Sequence, residues 1–293
     1  MPSPDAVAVG VRRAGWLALA ASALTLGLIA YGSWVRVSGS GLGCPDWPLC
    51  EGALIPEIEG ARAIEFGHRA YAGVTMLVIA ASALLAFRAR SADRLTSRLL
   101  VGALAAVLAQ AVLGGITVLT ELHPMVRLAH LTFSMLTLAL LTAGSARALD
   151  VRLSPPPDVR RWRALAAAAG FVVLAGGVIV GTGQSAGCPG LPLCDSRSSL
   201  EAVGLHSVHR IAATLLLLAL VWTAWKARAG GGWTLRTSAL AASLAAAQVG
   251  VGVSAVWLEL PQALRVLHLG LAAAVWWVVV AQLSFALLGQ ARR

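Results

Sequence analysis

Long runs of apolar residues, separated by short polar segments, recur along the whole chain of 293 residues. Each run has about 20 consecutive, mostly apolar residues, which is the length that an α-helix needs to cross the hydrocarbon core of a membrane. Isolated strands are excluded at that depth because their unpaired backbone groups are too costly in lipid. The pattern predicts an all-α integral membrane protein with eight spans, over residues 14–35, 66–87, 97–120, 125–147, 163–184, 205–225, 235–258 and 263–288.

The composition also indicates a membrane protein rather than a soluble one. Hydrophobic residues make up 58% of the chain and charged residues only 12%, whereas soluble domains carry about 25% charged residues. A net charge of +10 would suggest a nucleic-acid partner if the basic residues formed one patch. They recur instead in short loops between the apolar runs, so we expect a lipid bilayer around the chain and no nucleic acid.

Lysine and arginine residues are distributed unequally between two sets of loops. Sixteen of the 23 lie at the two termini and in the loops near residues 88–98, 147–163 and 226–236. By the positive-inside rule, these segments face the cytoplasm. We therefore expect both termini in the cytoplasm and the other loops on the outer face.

The second half of the chain repeats the first, at offsets between 138 and 144 residues. The matching positions are Cys44, Cys50, His68, Arg69, Gln110, Glu121, Arg127 and His130 in the first half and Cys188, Cys194, His209, Arg210, Gln248, Glu259, Arg265 and His268 in the second. Because each copy has four spans, the repeat predicts two pseudo-symmetric, parallel four-helix bundles. We assign them to residues 1–150 and 151–293, with the proline-rich segment 154–157 as the linker.

Four of the repeated residues are histidines at matched depth, in spans that enter from the outer face. His68 and His130 lie near the start of spans 2 and 4, and His209 and His268 near the start of spans 6 and 8. Alternate helices of an up-and-down bundle lie on a diagonal, so each pair can face across a bundle. Haem iron accepts two axial imidazoles, whereas zinc takes three or four protein ligands. The pattern favours haem ligation over the alternative of hydrogen-bonded packing residues.

Arginines accompany all four histidines. Arg69 and Arg210 directly follow a histidine, and Arg127 and Arg265 precede one by three residues. Guanidinium groups form bidentate hydrogen bonds with carboxylates, so these arginines are candidate contacts for haem propionates. The alternative is that they extend toward the membrane interface.

Glu65 is the main chemical difference between the halves. It precedes His68 by three residues, at the place where the second half has His206 before His209. A carboxylate one turn from an iron ligand can act as a base, conduct protons or stabilise positive charge. We therefore predict a reaction site in the N-terminal bundle and an electron-transfer site in the C-terminal one. The alternative is a partly hydrated interfacial glutamate.

All four cysteines fall in loops of the outer face by this topology. The compartment is oxidising there, so the sequence predicts two loop disulfides, Cys44–Cys50 and Cys188–Cys194. The spacing differs from the C-x-x-C of thioredoxin-like sites, and a redox-active function is the alternative to a structural one.

Together these features resemble the bacterial form of the haem A synthase family, which takes part in cytochrome-oxidase assembly. The likeness covers essentially the whole chain. Besides the eight spans and the two cysteine loops, it is carried by residues 39–44, 65–69, 127–131, 206–210 and 266–269. The resemblance implies an oxidoreductase that converts the C8 methyl of haem O to the formyl of haem A, by successive hydroxylations and loss of water.

The resemblance also implies functions for single residues. It implies that His68 and His130 hold the substrate haem O, that Glu65 is essential beside it, and that His209 and His268 hold a haem b. It further implies a multi-pass protein of a bacterial plasma membrane that cooperates with haem O synthase, the protohaem farnesyltransferase. The electron donor would be another protein or a membrane quinol, and the oligomeric state, including a homo-oligomer, stays open.

Two other functions fit part of the pattern. A di-haem, bis-histidine cytochrome b that passes electrons without modifying its haem needs the same histidines but not Glu65. A repeat-built transporter would have broken helices and a midplane substrate site, whereas the polar residues here cluster in the outer third of the spans.

Overall fold

The computed structural model describes residues 4–154 and 156–290, with the side chains of the first helix described from Ala8 onward. The chain forms eight long helices: α1 (Pro4–Val37), α2 (Gly60–Arg88), α3 (Arg94–Leu119), α4 (Pro124–Ala148), α5 (Val159–Gly181), α6 (Leu200–Ala227), α7 (Gly232–Trp257) and α8 (Gln262–Gln290). All eight are long and apolar enough to cross a membrane. The predicted all-α, eight-span membrane fold is therefore confirmed.

Most helices extend beyond the predicted spans, by as many as ten residues at the start of α1, whereas at the end of α5 the predicted span is too long. The apolar run predicts a helix as far as residue 184, whereas α5 ends at Gly181. Gly183 then has a φ of +75°, which is a left-handed conformation that glycine adopts without a steric penalty. Hydropathy counts these residues as part of the run because it does not register backbone conformation.

The first compact unit covers the chain up to Arg152 and contains α1 to α4. Both α1 and α3 pack against α2 and α4, so the four helices form a closed ring in which α2 and α4 lie on a diagonal. The core of the unit contains fully buried alanines of α1 together with larger side chains such as Ile79 and Leu100. Small residues at these positions let the helix backbones approach closely.

The second compact unit begins at Leu153 and contains α5 to α8. Its helices pair in the same order, so α6 and α8 lie on the diagonal. Trp162, Leu220 and Val279 are buried in its core. Of the linker predicted over residues 154–157, Pro155 lies outside the described residues, and so do Arg292 and Arg293, which were counted as cytoplasmic.

The turns between α3 and α4 and between α7 and α8 have the same backbone in both units. Glu121 and Leu122 have φ values of +50° and +65°, and Glu259 and Leu260 have +60° and +63°. The amides of the two leucines donate to carbonyls near the end of the preceding helix, at 2.8 and 2.7 Å, which closes the helix terminus. The repeated glutamates are therefore turn residues.

Candidate functional site

In the second unit, His209 of α6 and His268 of α8 face each other across the bundle. Their ring centroids are 6.5 Å apart, with the ring planes inclined by 65°. An imidazole nitrogen lies about 2 Å from a metal ion that it binds, so two axial imidazoles on one ion have centroids about 6 Å apart. The pair thus has the separation that one iron between two rings requires.

Hydrogen bonds of this pair leave Nε2 of each ring as an acceptor. Nδ1–H of His209 donates to the backbone carbonyl of Val172 in α5 at 3.2 Å, and this contact fixes the tautomer that has its lone pair on Nε2. The side-chain nitrogen of Gln248 lies 3.3 Å from Nε2 of His268. An amide N–H only donates, so this ring nitrogen is unprotonated and the amide must turn aside before a metal ion can bind there. A metal ion needs such an unprotonated nitrogen.

In the first unit, His68 of α2 and His130 of α4 occupy the equivalent diagonal positions. α2 and α4 lie on the diagonal of their ring of helices, as α6 and α8 do in the second unit. Within the described part of the chain, Nδ1 of each ring is buried and has no hydrogen-bond partner. Buried polar atoms without a partner are uncommon because each carries a desolvation penalty.

The residues of both units fit haem as a ligand. Nδ1 of His268 is buried without a partner among the described residues, like Nδ1 of His68 and His130. Residues 4–154 and 156–290 contain no group of three or more His, Cys, Asp or Glu side chains placed to hold a metal ion. Each bundle offers two histidines on diagonal helices instead, which is the donor set of a bis-histidine haem.

Glu65 is buried, with 4% of its surface exposed, and both of its carboxylate oxygens are engaged. Oε1 pairs with Nη2 of Arg69 at 2.6 Å, and Oε2 accepts a hydrogen bond from the backbone amide of Cys44 at 3.0 Å. This burial argues against the alternative of a hydrated interfacial glutamate. The carboxylate connects α2 to the loop that follows α1.

The guanidinium group of Arg69 holds the same loop through backbone carbonyls. Its Nη1 donates to the carbonyls of Asp46 and Leu49 at 2.9 and 2.8 Å, and Nη2 donates to that of Cys44 at 3.0 Å. The side chain of Asp46 fixes the loop further, because it accepts from the backbone amide of Gly52, and this hydrogen bond is the main reason that the pKa of Asp46 lies below 3.8.

Arg210 repeats this arrangement in the second unit. Its Nη1 donates to the carbonyls of Gly190 and Pro192 at 2.8 and 3.1 Å, and Nη2 donates to that of Cys188 at 2.9 Å. The terminal nitrogens of Arg69 and Arg210 are thus used by the loops, which the sequence did not predict. Of the other two arginines predicted to contact propionates, Arg127 has a buried Nε without a partner in the described residues.

Both predicted disulfides are present. Cys44 is bonded to Cys50 and Cys188 to Cys194, with Cα–Cα distances of 4.7 and 4.8 Å.

In the second unit, His206 occupies the place of Glu65, and its Nε2–H donates to the carbonyl of Gln184 at 2.8 Å. Glu65 and His206 therefore share one structural function, since each ties its helix to the backbone of the preceding outer segment.

Tyr31 and Tyr71 belong to the surroundings of His68, although no sequence pattern predicted them as site residues. The ring of Tyr31 in α1 meets the ring of His68 edge-on, with centroids 5.5 Å apart, and lies 6.3 Å from the ring of Tyr71. The chain has only these two tyrosines, so both lie near one histidine. The repeat could have revealed these tyrosines as a difference between the halves, because the matching residues of the second half are Ala175 and Ala212.

The chain is similar over most of its length to proteins of cytochrome oxidase assembly and haem A synthesis. The COX15-CtaA family model, described as "Cytochrome oxidase assembly protein", matches residues 15–63 and 57–280. The chain is 33% identical to a protein of Symbiobacterium thermophilum named "Heme A synthase", over 90% of this chain and 92% of that protein. It is 29% identical to the "Heme A synthase" of Shewanella oneidensis, over 88% and 92% of the two chains. The corresponding protein of Bacillus pumilus is 30% identical over 64% of this chain and 66% of its own.

Proposed function

The chain belongs to the COX15-CtaA family of cytochrome oxidase assembly proteins. On this basis we propose that it is a haem A synthase. In the proposed reaction, the C8 methyl of haem O is oxidised to the formyl of haem A through successive hydroxylations and loss of water. The observation that carries the proposal is the duplicated pair of histidines on diagonal helices, whose rings lie 6.5 Å apart in the second unit. Only the first pair has a buried carboxylate, Glu65, one helical turn away.

The N-terminal bundle is the proposed reaction site. His68 and His130 hold the substrate haem O from opposite sides, and the ring of Tyr31 packs against the edge of His68, which limits the rotation of that imidazole. Glu65 provides a fixed negative charge one turn from His68, and such a charge stabilises positive charge that develops on a nearby substrate. Arg69 and the amide of Cys44 hold this carboxylate in place.

The C-terminal bundle is the proposed electron-transfer site. His209 and His268 are the proposed ligands of a haem b, and the hydrogen bond from His209 to Val172 sets the orientation of one ring. Haem b, when bound, accepts and passes on single electrons. Arg127 and Arg265 are the proposed contacts of the propionates in the two bundles.

The proposal includes a location and partners. We place the protein in a bacterial plasma membrane with both termini in the cytoplasm and both haem sites near the outer face, which the position of the two disulfide loops supports. Haem O synthase would supply the substrate, and a separate protein or a membrane quinol would supply the electrons.

Pigment analysis of the purified protein, co-expressed with haem O synthase, tests this function. We expect haem A with the wild-type chain, and no haem A but an unchanged haem b spectrum with His68→Ala or His130→Ala. His209→Ala and His268→Ala should lose the haem b. The control is His123→Ala, because this histidine is exposed at the start of α4 and belongs to neither pair.

Two outcomes contradict the proposal. Normal haem A in His68→Ala membranes would remove the N-terminal site. Bound haem without any haem A in the wild type would instead favour the di-haem cytochrome b, which needs the same imidazoles for electron transfer alone.

A further inference from the structure

Each of the four paired histidines lies against a glycine of the helix that precedes its own. The contact is made by Cε1, the ring carbon between the two imidazole nitrogens. A Cβ atom added to the glycine would lie 3.2 Å from Cε1 for Gly32 and His68, 3.4 Å for Gly114 and His130, 3.1 Å for Gly176 and His209, and 3.0 Å for Gly252 and His268. Contacts of 3.0 to 3.2 Å are shorter than most real Cβ contacts, so a methyl group at Gly32, Gly176 or Gly252 would displace the ring by a few tenths of an ångström, whereas the contact at Gly114 is at the limit of ordinary van der Waals contact.

The four glycines follow the repeat of the histidines. Gly32 and Gly176 are 144 residues apart, and Gly114 and Gly252 are 138 residues apart. Each pair of consecutive helices therefore contributes a glycine from its first helix and a histidine from its second. The same contact is built four times, in two units that differ around it.

Helical glycines of this chain fall into two groups. A Cβ added to Gly15, Gly115 or Gly144 would meet an alanine, tryptophan or leucine side chain at less than 3 Å, so these glycines permit close helix packing. A Cβ added to Gly250, which lies in the same helix as Gly252, would meet nothing within 4 Å. Glycine is unfavourable in a helix interior relative to alanine. What distinguishes the four glycines of the repeat is that the side chain each one accommodates is one of the four paired imidazoles.

We propose that Gly32, Gly114, Gly176 and Gly252 are positioning residues that set the place and tilt of the four haem-ligating imidazoles. This inference rests on the proposed function. Pressure on Cε1 moves both nitrogens of the ring, so an added methyl group would turn Nε2 away from the line on which it meets the iron. Each imidazole therefore packs directly against the backbone of a glycine, and this contact fixes its position.

The test uses the full chain with its haems bound and compares Gly252→Ala with the matched control Gly250→Ala in the same helix. Residues that orient a ligand of a metal change its affinity by about tenfold or more. We expect Gly252→Ala to bind haem b about tenfold more weakly and to change the ferric low-spin spectrum and midpoint potential of that haem. Gly250→Ala should match the wild type in affinity, spectrum and potential.

The other three positions give a graded series. Gly176→Ala should resemble Gly252→Ala, and Gly114→Ala should have the smallest effect because its contact is the longest. Thermal unfolding of each variant shows whether the bundle has formed. If Gly252→Ala does not fold, the spectra of Gly32→Ala and Gly114→Ala decide the question, because these contacts need a smaller displacement.

Comparison of Gly252→Ala with His268→Ala separates the positioning function of the glycine from the ligand function of the histidine. If His268→Ala loses haem b while Gly252→Ala keeps wild-type affinity, spectrum and potential, the glycine has no positioning function and the ligand assignment stands. If His268→Ala keeps its haem b with an unchanged spectrum, the ligand assignment is wrong and this inference falls with it.

Discussion

One arginine side chain holds each of the two disulfide loops to a helix that carries a proposed ligand. In the second unit, Arg210 donates to the carbonyls of Gly190, Pro192 and Cys188. Only the planar guanidinium fork reaches several carbonyls at once, and the ammonium group of lysine does not reproduce this geometry. The loop therefore depends on the type of cation at this position as well as on its charge.

Arg210→Lys should loosen the loop without removing the positive charge. We expect faster hydrogen exchange of the amides in residues 188–194 and a loss of about 2 kcal/mol of stability, which is typical of hydrogen bonds that involve a charged group. Arg197→Lys is the control, since the side chain of Arg197 is 89% exposed and pairs only with Asp195 among the described ion pairs. Equal exchange in the two variants would show that the carbonyl contacts do not stabilise the loop.

Glu65 has two functions that substitution can separate. Glu65→Gln keeps an oxygen that accepts from the amide of Cys44 but removes the negative charge. We expect this variant to bind haem and to keep its loop through the carbonyl contacts of Arg69. Conversion of haem O should fall by about a hundredfold, the range for loss of one electrostatic contact that stabilises the transition state. The ratio of haem A to haem O in the purified protein is the measurement.

Glu65→Ala and Glu121→Gln complete this comparison. Glu65→Ala removes the loop contact as well, so the amide of Cys44 should exchange faster in that variant only. Glu121 lies in the turn after α3, and Glu121→Gln should convert haem O normally. Wild-type conversion by Glu65→Gln would restrict Glu65 to its structural function.

At the scale of the elements, Asp93 joins the start of α3 to the end of α4. Its carboxylate accepts from the amides of Leu95 and Thr96 and from Nε of Arg147 at 3.0 Å. Burial raises the pKa of Asp93, but the hydrogen bonds from Thr96 and the contact with Arg147 outweigh burial, so its pKa lies below 3.8. Because the folded pKa is below the unfolded one, the stabilisation exists at neutral pH and is lost as the pH falls through the folded pKa.

Asp93→Asn should therefore destabilise the protein at neutral pH and change its response to acid. Asn caps a helix about as well as Asp, so the loss comes from the ion pair with Arg147. We expect it to be about 0.5 to 1 kcal/mol at pH 7, the usual size for a partly exposed pair, with little difference from the wild type once the pH is below the folded pKa. Thermal unfolding in detergent measures both effects. Asp150→Asn, which alters an exposed pair with Arg152, serves as the control, and a pH-independent difference would contradict the explanation.

The helices were predictable because hydropathy averages over about 20 residues, and the histidine pairs were predictable because the repeat marks them. The contacts of Arg69 were not predictable. Its partners are backbone carbonyls more than 20 residues away, and every residue has such a carbonyl, so no side-chain pattern reveals them. The predicted end of α5 was wrong for a related reason, because hydropathy does not depend on the left-handed φ of Gly183.

For the whole molecule, the orientation in the membrane is the feature to test. No described cysteine is free, so a cysteine introduced at an exposed loop position supplies the only reactive thiol among the described residues. We expect a membrane-impermeant maleimide to label Ser196→Cys on intact cells and Ala92→Cys only after permeabilisation, because the positive-inside rule places these loops on opposite sides. Labelling of both variants on intact cells would show that the predicted topology is wrong.

Each half of the chain contains a complete pair of imidazoles with the glycines that lie against them. A gene duplication that produced such halves leaves one copy able to keep its original task while the other accumulates change. The tyrosines beside His68 and the alanines at the matching positions 175 and 212 are the kind of divergence that this freedom permits. Two sites of common descent can thus specialise within a single polypeptide without either losing its pair of imidazoles.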